Sequence, residues 1–262
     1  MAQNMYDNPA FFNEYRQLPR SVHGLDGAPE WPTLRRLVGD IQGARVLDLG
    51  CGFGWFCRWA VKEAAARSAH GVDISENMLR RAREMPAAEE EKSLITYERS
   101  DLEQGLELAP GSYDFVYSSL ALHYLPTDAL RRLLAQVFAC LDNTSTIAPG
   151  RFVFSVEHPV LTAPADASWR RDEQGRVFWP LNRYWDEGLR VTDWLADGVR
   201  KYHRTVETYV SLLLEAGFVL ESLKESWDGL DLRTKVDEGG EAHRPYFLLV
   251  AVSKPVFPVV ES

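Results

Sequence analysis

The stretch Val46-Leu47-Asp48-Leu49-Gly50-Cys51-Gly52-Phe53-Gly54 carries the strongest chemical signal in the chain. An apolar run that enters glycines and then an amphipathic segment brings backbone close to a ligand. It also aims the N–H groups of a helix start at that ligand. Spacing narrows the ligand. A dinucleotide fingerprint needs G-x-G-x-x-G, and here Trp55 stands where the third glycine belongs. The G-x-x-x-x-G-K-[ST] of a phosphate-binding loop is absent. Asp48, inside the entry strand, would repel a pyrophosphate but can reach a cationic amino group, directly or through water.

A second set of reactive side chains lies further on. Glu157-His158-Pro159 leaves the apolar run 151–156, and His123-Tyr124 leaves the run 113–118. Both places are carboxyl ends of expected strands, the edge where open α/β sheets bind ligands. A histidine titrates near neutrality, so His158 and His123 are candidate bases toward a hydroxyl, amine or thiol. Glu157 is a candidate to orient the ring or to bind the acceptor itself. The alternative for both histidines is a hydrogen-bonded structural role.

The elements that must position these groups alternate strand and helix, the pattern of a parallel sheet covered on both faces. Strands are expected over 44–49, up to Asp73, over 94–99, 113–118 and 151–156, with a closing pair over 218–226 and 246–252. Helices are expected over 53–67, from the N-cap Ser75 to Met85, over 128–141, and over 205–216 up to the glycine stop Gly217. The fold class is therefore α/β, a Rossmann-like, mostly parallel seven-stranded sheet in a single domain, 1–262. Within it, 44–157 forms the cofactor-binding core and 205–262 the C-terminal part of the sheet. Residues 1–43, with Pro9, Pro19, Pro29 and Pro32, are expected to be a loop-rich lid. Residues 158–204 hold four of the eight tryptophans (Trp169, Trp179, Trp185, Trp194) and are expected to cap the substrate.

Composition excludes several classes. A formal net charge of −9, with basic residues in short pairs, argues against nucleic-acid and anionic-membrane partners. Three scattered cysteines, Cys51, Cys57 and Cys140, argue against a disulfide framework or a metal site. The N-terminus lacks the basic and apolar regions of a signal peptide, so the expected compartment is the cytoplasm. Oligomeric state is not legible.

Taken together, VLDLGCGFG, GVDIS, RSDLE and SSLALHY resemble, in order, the motifs of class I S-adenosylmethionine (SAM)-dependent methyltransferases. The resemblance runs from Arg45 to Glu157 and implies SAM as cofactor, with S-adenosylhomocysteine (SAH) as product. It implies that Asp73 binds the ribose hydroxyls, that Ile74 packs on adenine with Met78 nearby, and that Asp101-Leu102 reaches the adenine amino group. It further implies that Asp48, Gly50, Cys51, Gly52 and Ser118 pass the methionine end. Tyr6, Tyr15 and Arg20 resemble lid residues that cover SAM. Tyr124, Trp185 and His203 are the expected substrate-side residues. The activity implied is methylation of an O, N or C atom of a small, partly apolar molecule. A SAM-binding enzyme of another reaction, or a silent SAM-binding partner protein, shares these motifs. One departure stands out: the family's short Pro-Gly-Gly turn is lengthened around Asn143 to Thr146, and Arg151 replaces its second glycine.

Overall fold

Runs such as Val46-Leu47 and Phe152-Val153-Phe154 place apolar side chains on both faces of a strand, so each strand needs cover above and below. The computed structural model, which describes residues 3–142, 149–226 and 244–256, satisfies that demand with one seven-stranded sheet. Its strands are β1 (Arg45–Leu49), β2 (Ser68–Asp73), β3 (Ile95–Arg99), β4 (Phe115–Ser119) and β5 (Arg151–Glu157). After β5 come the short strands β6 (Arg170–Arg171) and β7 (Val177–Phe178), then β8 (Gly188–Trp194) and β9 (Ala196–His203). The closing pair is β10 (Val219–Lys224) and β11 (Phe247–Ser253). The sheet order is β10-β11-β5-β4-β1-β2-β3, and β11 alone runs antiparallel to its neighbours. The strand–helix alternation thus builds the expected seven-stranded α/β sheet.

Alternate residues sort onto two faces. Val46, Phe115, Tyr117, Val153 and Leu249 pack with helices α3 (Trp31–Val38), α4 (Trp55–Lys62) and α5 (Glu76–Glu84). Leu47, Val116, Phe152, Phe154 and Val250 pack with two later helices, Thr127–Cys140 and Val206–Glu215. Ser75 caps α5 by accepting from the Met78 N–H, and Thr205 caps the last helix by accepting from the Thr208 N–H.

The N-terminal segment corrects the loop-rich expectation. Helices α1 (Pro9–Tyr15) and α2 (Pro19–Val22) precede α3. Pro9 and Pro19 open their helices, and Pro32 is the second residue of α3. A first-turn N–H has no helical partner to lose, so these prolines start helices instead of breaking them. Arg151, the first residue of β5, donates to the Val38 and Leu37 carbonyls and so caps the end of α3. The lengthened turn at Asn143 to Thr146 lies outside the described residues.

The loop between β1 and α4 has three left-handed glycines, Gly50, Gly52 and Gly54, with φ of 74°, 52° and 69°. At Gly54 a Cβ would sit 2.2 Å from the Tyr97 hydroxyl, so both dihedral and space demand glycine. Gly54→Ala should therefore lower stability by about 1–3 kcal/mol and the melting temperature by roughly 2–4 °C per kcal/mol. Thermal unfolding checks this, and a melting temperature equal to the parent's would refute it.

Candidate active site

The glycine loop is pinned before any ligand is considered. The N–H groups of Gly50 and Cys51 both donate to the Val72 carbonyl, at 2.8 and 3.0 Å. This draws the loop against the end of β2, where Asp73 accepts from Gly52 N–H and Ser75 N–H, each at 2.9 Å. Each Asp73 oxygen keeps a further lone pair for a hydroxyl. A Cβ on Gly52 would meet nothing within 4 Å, so this residue faces open space. Ile74 and Met78 follow Asp73 on the same rim, Ile74 half-buried and Met78 buried. Asp101 accepts from Glu103 N–H in the turn after β3, and Leu102 is buried beside it.

A cavity of about 100 Å³ opens between the loop and the N-terminal helices. Tyr15, Arg20, Asp48, Gly50, Cys51 and Gly52 line it, so six of the expected cofactor residues converge on one space. Arg20 is held there by Glu30, a fully buried carboxylate 3.1 Å away. Sequence reasoning missed Glu30, which lies between Pro29 and Pro32 with no motif around it. Ser118 has a different place: its buried hydroxyl donates to the Leu49 carbonyl at 2.8 Å and ties β4 to β1.

Burial raises two carboxylates of this site, Asp48 and Asp73. Asp48 is pushed up to about 7, chiefly by burial, with the Cys57 thiol at 3.4 Å opposing and Asp73 adding to the rise. Asp73 is pushed up to about 6, again by burial first, against the backbone N–H groups it accepts from.

The second half of the site lies over the ends of β4 and β5. The cap is built from a short helix at Pro159–Thr162, the β6–β7 pair and the β8–β9 hairpin. Lys201, on the inward face of β9, bonds the Glu157 carboxylate at 2.5 Å and lies 4.9 Å from the centre of the Trp194 ring. His123 follows β4 and is 1% exposed; its Nδ1 accepts from Glu157 N–H, while its Nε2 is buried without a partner. Burial pushes the His123 ring down to about 4, with Lys201 and Arg204 adding to the fall against Glu157. Burial alone would raise Glu157, but His123, Lys201 and Arg244 together hold it below the usual carboxylate range. Tyr124 meets Tyr6 of the N-terminal segment, hydroxyl to hydroxyl at 3.4 Å.

Three residues expected at the acceptor are placed elsewhere. His158 is 2% exposed and both ring nitrogens are committed: Nδ1 accepts from Val160 N–H, and Nε2 bonds Glu225 at 2.8 Å. It caps the turn into the cap region and has no free nitrogen for a proton. His203 is fully buried with Thr162 on one nitrogen and the Tyr184 carbonyl on the other. Trp185 is 79% exposed, on the outer side of the cap.

Comparison with known proteins agrees with this architecture. A family model described as "Methyltransferase domain" matches residues 46–144. A SAM-dependent methyltransferase of solved structure from Mesorhizobium loti is 47% identical, with a TM-score of 0.75, and the match covers 88% of this chain and 100% of that one. A structure from Listeria monocytogenes is 37% identical, with a TM-score of 0.74, covering 87% of this chain and 99% of that one. An uncharacterized protein of Haemophilus influenzae is 28% identical over 96% of this chain and 97% of its own length. The chain belongs to the SAM-dependent methyltransferases, and SAM is its cofactor.

The raised Asp48 makes a stability prediction. Its folded value of about 7 lies above the ordinary 3.8, so the folded protein binds more protons between these values. Its contribution to stability is therefore full below about pH 4 and is lost as pH rises through 7. In the unliganded protein, Asp48→Asn should gain urea resistance relative to the parent as pH rises from about 4 to 7. A difference that is constant, or that moves the other way, would show that Asp48 is not held protonated by burial.

Proposed function

We propose that the chain transfers the methyl group of SAM to a small-molecule acceptor enclosed between its N-terminal segment and its cap. The observation that carries this reading is the closure of the two segments over the loop edge. Gln3 donates to the Gly198 carbonyl at 2.9 Å and accepts from Arg200 N–H at 2.8 Å. Phe11 packs edge-on against Trp194 with ring centres 5.6 Å apart. Asp7 accepts from the Ser75 hydroxyl and Asn77 N–H, which fastens the same segment beside Asp73. An acceptor reached under such a cover is small, and a net charge of −9 disfavours a polyanion.

In this reading Asp73 accepts from both ribose hydroxyls, while Ile74, Met78 and Leu102 border the adenine and Asp101 accepts from its amino group. Asp48 faces the methionine ammonium, Arg20 the carboxylate, and the backbone of Gly50, Cys51 and Gly52 passes alongside. The sulfonium brings an activated methyl group. The protein's tasks are alignment and exclusion of water, and the cover performs the second.

Two measurements test this. With tritium-labelled methyl groups on SAM, label should enter the small-molecule fraction of an acceptor panel, and recovery only in protein or nucleic acid would refute the reading. Asp73→Ala should weaken SAM by more than about tenfold, since each hydrogen bond to a charged group is worth roughly 1.5–3 kcal/mol. Calorimetry giving parental affinity in a folded variant would remove Asp73 from the ribose.

A further inference from the structure

We infer that the acceptor is a carboxylic acid, bound as its carboxylate by the His123 Nε2–H and the Lys201 ammonium, and that the product is a methyl ester. The inference rests on the proposal of a small-molecule acceptor and narrows its class.

The geometry sets the polarity of the subsite. Because Glu157 N–H donates to His123 Nδ1, the ring proton sits on Nε2, and that buried donor has no acceptor among the described residues. A buried unmet donor destabilises the fold, and an acceptor oxygen would restore what is lost. Lys201 is 5% exposed and, among the described residues, hydrogen-bonds Glu157 alone, so an ammonium with three N–H groups has donors to spare. Arg204, fully buried nearby, bonds neutral groups among the described residues: the Thr127 hydroxyl, the Tyr209 hydroxyl and the Leu125 carbonyl. Glu187, another carboxylate on this side, is engaged by Thr205 and Thr208. Donors thus come to this edge from His123 after β4 and from Lys201 on β9, and Arg204 adds a positive charge beyond the one that Glu157 balances.

The same residues leave no base for a neutral acceptor. Among the described residues at this edge, His158 has both nitrogens bonded. His123 presents a donor, and burial holds it neutral. Glu157 is held ionised by its neighbours and is too weak a base for an alcohol. Tyr6, Tyr15 and Tyr124 are raised by burial and stay protonated. A phenol, alcohol or carbon acid would need a proton removed that nothing here takes. An amine would present N–H donors to donors. A carboxylate is already ionised at neutral pH. One of its oxygen lone pairs attacks the methyl carbon and forms the O–CH₃ bond. The C–S bond breaks with its electron pair going to sulfur. No proton moves, and the opposite charges of carboxylate and sulfonium both vanish, leaving an ester and SAH.

The test uses the purified full chain, tritiated-methyl SAM, and matched sets of aliphatic and aromatic carboxylic acids, alcohols, phenols, amines and thiols. Label is expected in acids and should be released as volatile methanol on alkaline treatment. Base-stable label in an alcohol, phenol, amine or thiol would overturn the carboxylate class and leave the small-molecule reading intact. Label confined to macromolecules would overturn both, and failure of every acid would overturn the inference. A second readout is binding of the best acid to the SAH-loaded protein by calorimetry. His123→Phe should weaken it about tenfold or more with SAH affinity unchanged. His123→Gln, which keeps an N–H donor, should retain most of it and serves if the phenylalanine variant does not fold. Equal acid affinity in the parent and both variants would remove His123 from the subsite.

Discussion

The site depends on one backbone acceptor, the Val72 carbonyl, which takes the N–H groups of both Gly50 and Cys51. That double bond locks the end of β1 to the end of β2. The lock sets the distance between Asp48, which points into the cavity, and Asp73, which closes on Gly52 N–H. Without the left-handed glycines the chain could not turn tightly enough to present both N–H groups to one oxygen. Everything said of the cofactor follows from this geometry, because a Rossmann-like sheet places its ligand where the strand order reverses, here between β1 and β4.

The cap obeys a different logic. Its hairpin is polar inward and partly apolar outward: Arg190, Lys201 and His203 are buried, while Leu189 and Val191 are exposed. Buried cations are costly unless they are paired or hydrogen-bonded. Arg190 meets that cost by donating to the carbonyls of Ala163, Leu189 and Asp186, and Lys201 by meeting Glu157. The hairpin is therefore fixed by directional bonds to the end of β5 and to its own loops. Such contacts fix a hairpin's position more sharply than apolar packing would, because each has a preferred direction.

This difference explains what could be read from the sequence. The sheet was legible because burial on two faces writes continuous apolar runs, and the cofactor half because left-handed glycines and strand-end carboxylates leave fixed spacings. Asp48, Gly50, Gly52 and Asp73 fall where those spacings put them. The N-terminal helices were hidden because Pro9, Pro19 and Pro32 read as breakers until one sees that each sits in a first turn. In the cap, inverted alternation gives β8 and β9 no amphipathic signature of the usual sign, so Lys201 carried no mark. His158 shows the converse error. A histidine at a strand's carboxyl end has the address of a base, but the proline after it begins a helical turn whose Val160 N–H needs an acceptor, and the ring supplies it.

The two halves also carry opposite electrostatic burdens, and their meeting explains why so few groups suffice for the chemistry. Asp48 and Asp73 are buried carboxylates whose ionisation burial resists, so the cofactor side favours a cation beside them. Across the loop edge, Glu157 balances Lys201, which leaves the Arg204 charge and the His123 N–H as the groups that an anion would satisfy. A cationic sulfonium nucleoside relieves the first, and the carboxylate acceptor proposed above would relieve the second. The fold accepts a cost in stability at both places, which is the usual sign of groups arranged for a ligand instead of for folding. Bringing the two ligands together under a cover that excludes water strengthens their attraction, because the interaction is no longer screened by solvent. The protein then needs no proton shuttle. It needs only to hold two opposite charges in line.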